Sequence, residues 1–411
     1  MKNAFLKLLG AVLVGMAALP CALSQGPLLL QSPTVSKTQI AFAYGGDIWV
    51  VSRDGGQARR LVTGEDRLSA PYFSPDGSTI AFSGTYNGNT DVYVVPASGG
   101  EPARLTYHPG ADTAVGWTRD GKSVLFRSHR YSYSDPDQLY TVPVTGGFPT
   151  ELPLLMAERG SYSPDGTHLA YVPNFRWEPF WQGYRGGQTT PIWIANLADS
   201  SVVKVPRENS NDNDPMWVGS TVYFLSDRNG PVTLFAYNTQ SQKVTQVLKN
   251  NGFDILSASA GPGAIVYSQF GQIHLFDLKS HKSKLVHITI AADMPQLRPH
   301  FENVAKQIEN YGISPSGVRA VFEAHGEILT VPVKKGNIRD LTNSPGVEDR
   351  EPAWSPDGNW VAYFSDGAGE YDLRIRNQTG LGAVRTIHLG EHWSYYYDLG
   401  WSPDSKKLVF S

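Results

Sequence analysis

The residues best suited to contact chemistry are a run of aromatics and arginines, Asn174-Phe175-Arg176-Trp177-Glu178-Pro179-Phe180-Trp181-Gln182-Gly183-Tyr184-Arg185. Large aromatics and arginine carry most of the binding energy where proteins meet. Trp177, Phe180, Trp181, Tyr184 and Arg185 are therefore the candidate docking residues. Two readings stay open for them. They pack between neighbouring elements, with Arg185 bonding a nearby backbone, or they dock against another domain or subunit. Other chemistries find less support. A self-contained serine hydrolase presents its nucleophile on a sharp turn such as G-x-S-x-G, and no serine here has glycine at both flanking positions. The ten histidines form no H-E-x-x-H, and Asp212-Asn213-Asp214 reads as a polar loop leading into Pro215-Met216-Trp217. No phosphate-cradling glycine motif occurs. No catalytic, cofactor-binding or metal-ligating residue is assigned, and no cofactor is expected.

The elements that must position these residues announce themselves through a turn. Ser74-Pro75-Asp76-Gly77 lies between Pro71-Tyr72-Phe73 and Thr79-Ile80-Ala81-Phe82. Proline presets φ for a tight turn, aspartate accepts backbone hydrogen bonds, and glycine takes a positive φ. The flanks are aromatic and β-branched, as strands prefer. The phrase returns at Ser163-Pro164-Asp165-Gly166, Ser355-Pro356-Asp357-Gly358 and Ser402-Pro403-Asp404-Ser405, with looser copies at Thr118–Gly121 and Ser314–Gly317. Around it stands a unit of roughly 40–50 residues: an inner strand, the turn, a second strand, a third such as Asp91-Val92-Tyr93-Val94-Val95, a Gly99-Gly100 reversal, and an outer strand, Pro102–Thr106. A four-stranded unit cannot bury both faces alone, so such repeats stack radially as propeller blades.

Six units run to about residue 290. Ala291–Ala305 breaks the rhythm with two prolines and reads as a linker. The repeat then restarts at Gln307 and runs through two units into a third, which holds only its first strands by Ser411. The fold expected is all-β: a six-bladed propeller at 27–290, a linker at 291–305, and the start of a second propeller at 306–411, incomplete, with the chain forming the front part of a longer protein. Composition agrees, with 41 glycines and 28 prolines in 411 residues. A net charge of −3 gives no electrostatic footprint for nucleic acid.

Residues 1–24 read as a secretory signal: Met1-Lys2-Asn3-Ala4-Phe5-Leu6-Lys7, an apolar run from Leu8 to Leu19, and an Ala22-Leu23-Ser24 exit. Pro20 before Cys21 argues against lipid attachment. Cys21 is the one cysteine of the chain and cleavage removes it, which leaves no disulfide and no thiolate. The expected location is periplasmic or secreted, with no membrane span after cleavage.

The unit P-x-[aromatic]-S-P-D-G … I-A-F … D-x-Y-V … G-G … R-L-T resembles the repeats of exported propellers such as TolB and of tricorn-type proteases. Two longer stretches resemble the tricorn family in particular. One is Trp181-Gln182-Gly183-Tyr184-Arg185-Gly186-Gly187 followed by Ile192-Trp193-Ile194. The other is the restart, Arg298-Pro299-His300-Phe301-Glu302-Asn303-Val304, then Phe322–Ile328 and Ser365–Tyr371. The resemblance covers nearly everything after the signal. It implies that the complete protein is a serine protease whose two propellers precede a core with a PDZ module and the catalytic serine, histidine and acidic residues. No catalytic residue of that core has a counterpart in this chain. It further implies peptide or unfolded protein as substrate, the missing C-terminal core as partner, homo-oligomers in the full-length form, and propellers acting as gated channels and docking platforms. The family is usually thought of as cytosolic, so the export signal departs from it. Two other readings compete: a TolB-like periplasmic scaffold without protease activity, and an enzyme with its site in a propeller channel.

Overall fold

The computed structural model describes residues 28–64, 67–130, 137–175, 184–294, 298, 301, 303–390 and 394–411. Among these the structure is β throughout, apart from a 3₁₀ turn at Val304–Lys306. The chain divides into two compact units, Met1–Leu297 and Arg298–Ser411.

The first unit holds six sheets, each built on four antiparallel strands laid down in chain order from an inner to an outer one. Their inner strands are Gln31–Val35, Leu68–Phe73, Asp112–Trp117, Arg159–Tyr162, Asp212–Val218 and Ile255–Gly261. Each contacts the next, and the sixth returns to the first. The cores prove the closure, because each lies between successive sheets rather than within one. Ala41, Ile48 and Val50 of the first pack with Ile80, Phe82 and Val95 of the second. The ring ends where Ala264, Val266, Ile273 and Leu275 of the sixth pack with Ile40, Phe42, Trp49 and Val51 of the first.

Four-stranded units were expected, and the first sheet has five strands. Ile288–Ile290 adds in parallel beyond Gly56–Val62, with Ile288 opposite Gly56. At the other end of the seam the Leu30 N–H donates to the Gly271 carbonyl of the sixth sheet at 3.0 Å. Residues on both sides of the ring thus hold its seam. Met294 joins this core, and the Arg60 guanidinium donates to the Asp293 carbonyl at 2.7 Å.

The serine-proline-aspartate-glycine turns are local machines. The Ser74 hydroxyl donates to Asp76 at 2.5 Å and accepts from the Thr79 N–H at 3.0 Å. Asp76 also accepts from the Ser78 N–H at 3.0 Å, while the Gly77 N–H closes on the Ser74 carbonyl at 2.8 Å with φ at +79°. The same bonds recur at Ser163–Asp165 and Ser355–Asp357. The serine hydroxyls lower the Asp76 and Asp165 carboxyls to about 2. A folded-state value below the usual 3.8 means that this stabilisation is fully present above about pH 4 and is lost as pH falls through about 2. We expect the double variant Asp76→Asn/Asp165→Asn to lose less stability than the wild type between pH 4 and pH 2, as measured by urea unfolding at each pH.

The second unit has sheets at Ile308–Asp340 and Asp349–Ile387, followed by the hairpin Gly400–Trp401 and Leu408–Val409. Its first two sheets share a core of Val321, Ile328, Leu341, Val361 and Tyr363.

Candidate functional site

The inner strands of the first unit surround the ring axis, and a bulge shapes most of them. Register slips occur at Gln31/Thr34, Ser69/Tyr72 and Asn213/Met216, and again at Arg350/Ala353 in the second unit. The residue ahead of proline takes a positive φ each time: Ser32 (47°), Ala70 (52°), Asp214 (48°) and Glu351 (53°). Proline follows because it brings no N–H that the slipped ladder would leave bare. The repeated x-Pro-x-aromatic phrase therefore encodes a bulge as well as a strand.

At or near the bulge a backbone N–H does need an acceptor, and the preceding sheet supplies it. The Phe73 N–H donates to Thr34 Oγ1 at 3.4 Å, Ala114 to Ser83 Oγ at 2.9 Å, Trp217 to Ser161 Oγ at 2.9 Å and Ala258 to Asp214 Oδ2 at 3.1 Å. In the second unit Glu351 donates to Glu323 Oε2 at 2.8 Å. These bonds set the angle between neighbouring sheets, because a buried N–H left without a partner is costly.

Asp214 does most. Its other oxygen pairs with the Arg159 guanidinium, so one carboxylate joins the inner strands of the fourth, fifth and sixth sheets. Arg159 remains 46 % exposed, and the Asp214 charge raises its pKa. Asp212-Asn213-Asp214 was expected as a loop ahead of the strand. The structure places it inside Asp212–Val218, because both aspartates find arginines and the bulge at Asp214 lets the strand begin earlier. Beside Arg159, Glu158 pairs with Arg127, which also reaches Asp137 at 3.5 Å. Burial raises the Glu158 carboxyl against the pull of Arg127, and burial likewise raises the nearby Tyr72 phenol. Around the axis the strands thus place a guanidinium, carboxylates and small hydroxyls, each held by a neighbouring sheet. The serines of the repeated turns are committed to their aspartates and backbone N–H groups. Among the described residues no group of three or more His, Cys, Asp or Glu side chains could hold a metal ion, and no helix is long and apolar enough to cross a membrane.

Of the docking candidates, Trp177, Phe180 and Trp181 lie outside the described residues. Tyr184 and Arg185 lie beside the fifth sheet. Arg185 binds the Asp227 carboxylate at 2.9 Å and the Asp227 carbonyl at 3.0 Å, and Asp227 in turn accepts from the Asn211 N–H at 2.8 Å. The Tyr184 carbonyl accepts from Asn211 Nδ2 at 3.3 Å. Sequence reasoning missed the Arg159–Asp214 pair. The aspartate-proline step was its visible half, but nothing local marks residue 159 as the partner of residue 214.

Residues 27–282 match the profile of the Tricorn protease N-terminal beta propeller domain. Tricorn protease homolog 1 of Streptomyces coelicolor is 28 % identical over 365 residues, covering 88 % of this chain and 34 % of that protein. The tricorn protease homolog of Saccharolobus solfataricus is 24 % identical over 387 residues, covering 92 % of this chain and 35 % of that protein. The chain thus spans about a third of the length of the curated relatives it matches. Its fold superposes on the crystal structure of the tricorn protease with a TM-score of 0.59 at 18 % identity, covering 94 % of this chain and 46 % of that one. Since the profile match takes in more than half of its residues, the chain belongs to the tricorn protease family, through that family's N-terminal β-propeller domain.

Proposed function

We propose that this chain is the non-catalytic front of an exported tricorn-like serine protease, serving substrate access or product exit and assembly in peptide degradation. The observation that carries the reading is a mismatch between the two units. In the first ring, Val35, Ile40, Phe42, Trp49 and Val51 form the face that the sixth sheet buries, each no more than 3 % exposed. The shared turn aligns them with Ile313, Ala320, Phe322, Leu329 and Val331, since Ser36 N–H closes on Gln39 as Ser314 N–H closes on Arg319. In the second unit that face is less covered: Ala320, Phe322, Leu329 and Val331 are half-buried, and Ile313 is 72 % exposed with Tyr311 at 77 % beside it. An apolar face with this register fits a further blade, which the protease portion of a longer protein would bring with the catalytic core.

The reading frame downstream of Ser411 tests the proposal. A PDZ-like segment and a catalytic serine support it, whereas a stop codon with a stable exported product of this mass supports a TolB-like scaffold. The purified chain alone is expected to show no peptidase activity. Hydrolysis that a substitution within residues 28–411 abolishes would sink the reading. Export is tested separately by N-terminal sequencing of the periplasmic or secreted product, which is expected to begin at Gln25.

A further inference from the structure

The third strand of several sheets carries a carboxylate at or near its start, and the outer strand decides what holds it. In the first two sheets the residue paired opposite the second position after that carboxylate is arginine: Arg60 opposite Trp49, and Arg104 opposite Tyr93. Each reaches back along the sheet, Arg60 to Asp47 at 3.3 Å and Arg104 to Asp91 at 2.7 Å. Two residues beyond Arg104, the Thr106 hydroxyl donates to the other oxygen of Asp91 at 3.2 Å. Both carboxylate oxygens are thereby satisfied.

The second sheet of the second unit repeats this frame with one member changed. Asp372 opens its third strand, and opposite Arg374 stands Thr386 where the first two sheets of the first unit have arginine. Two residues on, His388 takes the place of Thr106 and binds Asp372 Oδ1 through Nδ1 at 2.8 Å. A threonine is too short to do what Arg104 does. Asp372 Oδ2 has no hydrogen-bond partner among the described residues, although the side chain is only 7 % exposed. Beside it lies a cavity of about 310 Å³ lined by Glu370, Tyr371, Asp372, His388, Ser394 and Tyr396.

We propose that this cavity binds a guanidinium group, such as the arginine side chain of a peptide, seated on Asp372 where the first two sheets place an arginine of their own. A buried carboxylate oxygen calls for a charged donor, and a planar guanidinium supplies several. Aromatic walls suit it too: Arg60 lies 5.0 Å from the Trp49 ring, Arg104 lies 4.5 Å from Tyr107, and here the walls are Tyr371 and Tyr396. Burial raises the Glu370 carboxyl, so an incoming cation would also favour its ionised form. A completed neighbouring blade does not close such a site. In the closed first ring, with a whole sheet alongside, the Arg104 side chain is still 36 % exposed. The inference rests on strand register and stands apart from the protease reading.

The test is calorimetric titration of the full chain with N-acetyl-arginine amide, its neutral citrulline analogue and methylguanidinium. Saturable binding of the arginine compound is expected, with at least tenfold weaker binding of the citrulline analogue. Tighter binding of the arginine compound than of methylguanidinium assigns the site to peptides, and equal binding assigns it to small cations. Asp372→Asn should weaken binding at least tenfold. Thr386→Arg restores the internal partner, so it should abolish binding and raise Tm. No saturable heat with the wild type, or undiminished binding by Thr386→Arg, overturns the proposal, and the raised Tm of Thr386→Arg guards against loss through misfolding.

Discussion

Gly261→Ala is expected to cost about 3 kcal/mol and to loosen the first ring at its seam. Gly261 ends the inner strand of the sixth sheet, and a Cβ there would overlap the Val35 carbonyl oxygen of the first. That oxygen is backbone, so it cannot swing aside as a side chain could. Two more close approaches line the same seam. A Cβ on Gly55 would lie 2.5 Å from the His287 carbonyl oxygen, and one on Gly271 would lie 2.5 Å from that of Leu28. The first ring closes by bringing backbones together at three glycines, and any side chain there wedges it open. Gly187→Ala is the control, because nothing lies within 4 Å of its Cβ position, and it should stay within about 0.5 kcal/mol of the wild type. Urea unfolding of both variants decides the matter. Equal stabilities would mean that the seam yields freely and that its glycines do not set the closure.

Asp212→Ala should destabilise the first unit by about 3–5 kcal/mol, the range for breaking a buried ion pair from one side. Asp212 is fully buried and holds Arg228 at 2.8 Å, while the Ser210 and Ser226 hydroxyls donate to its second oxygen at 2.9 and 2.6 Å. Arg228 lies 5.1 Å from the ring centroids of both Phe224 and Phe235, which stack on each other at 6.1 Å. Removing the carboxylate leaves that charge beside two rings without its counter-ion. The third sheet builds the same device from Asp112 and Arg130, with Phe126 and Tyr140 at 5.1 Å. Replacing both charges, as Asp212→Ala/Arg228→Met, should recover at least half of the loss, because an apolar pair need not be kept ionised in a low dielectric. A double variant no more stable than Asp212→Ala would show that the serine hydroxyls, rather than the arginine, are what the carboxylate serves.

The turns, the strands and their repeat were legible because their chemistry is local. Ser74, Asp76, Gly77 and Thr79 bond one another within five residues, so each copy states its own structure wherever it occurs. Counting copies then gave an all-β chain of stacked sheets. The candidate docking residues were chosen by composition alone, and composition cannot say what Arg185 touches; its partner, Asp227, is 42 residues away.

By itself, then, the sequence determined the repeating unit, the glycines of its turns and the family resemblance, all of which rest on short-range constraints. Only the tertiary structure decided that the sixth sheet closes on the first, that Asp214 binds Arg159, and that Asp372 lacks the arginine that Asp47 and Asp91 have. Each of these depends on register and on pairing between residues that are distant in the chain. A single-residue change such as arginine to Thr386 is silent until the strands are aligned, because its consequence falls on an oxygen of another strand.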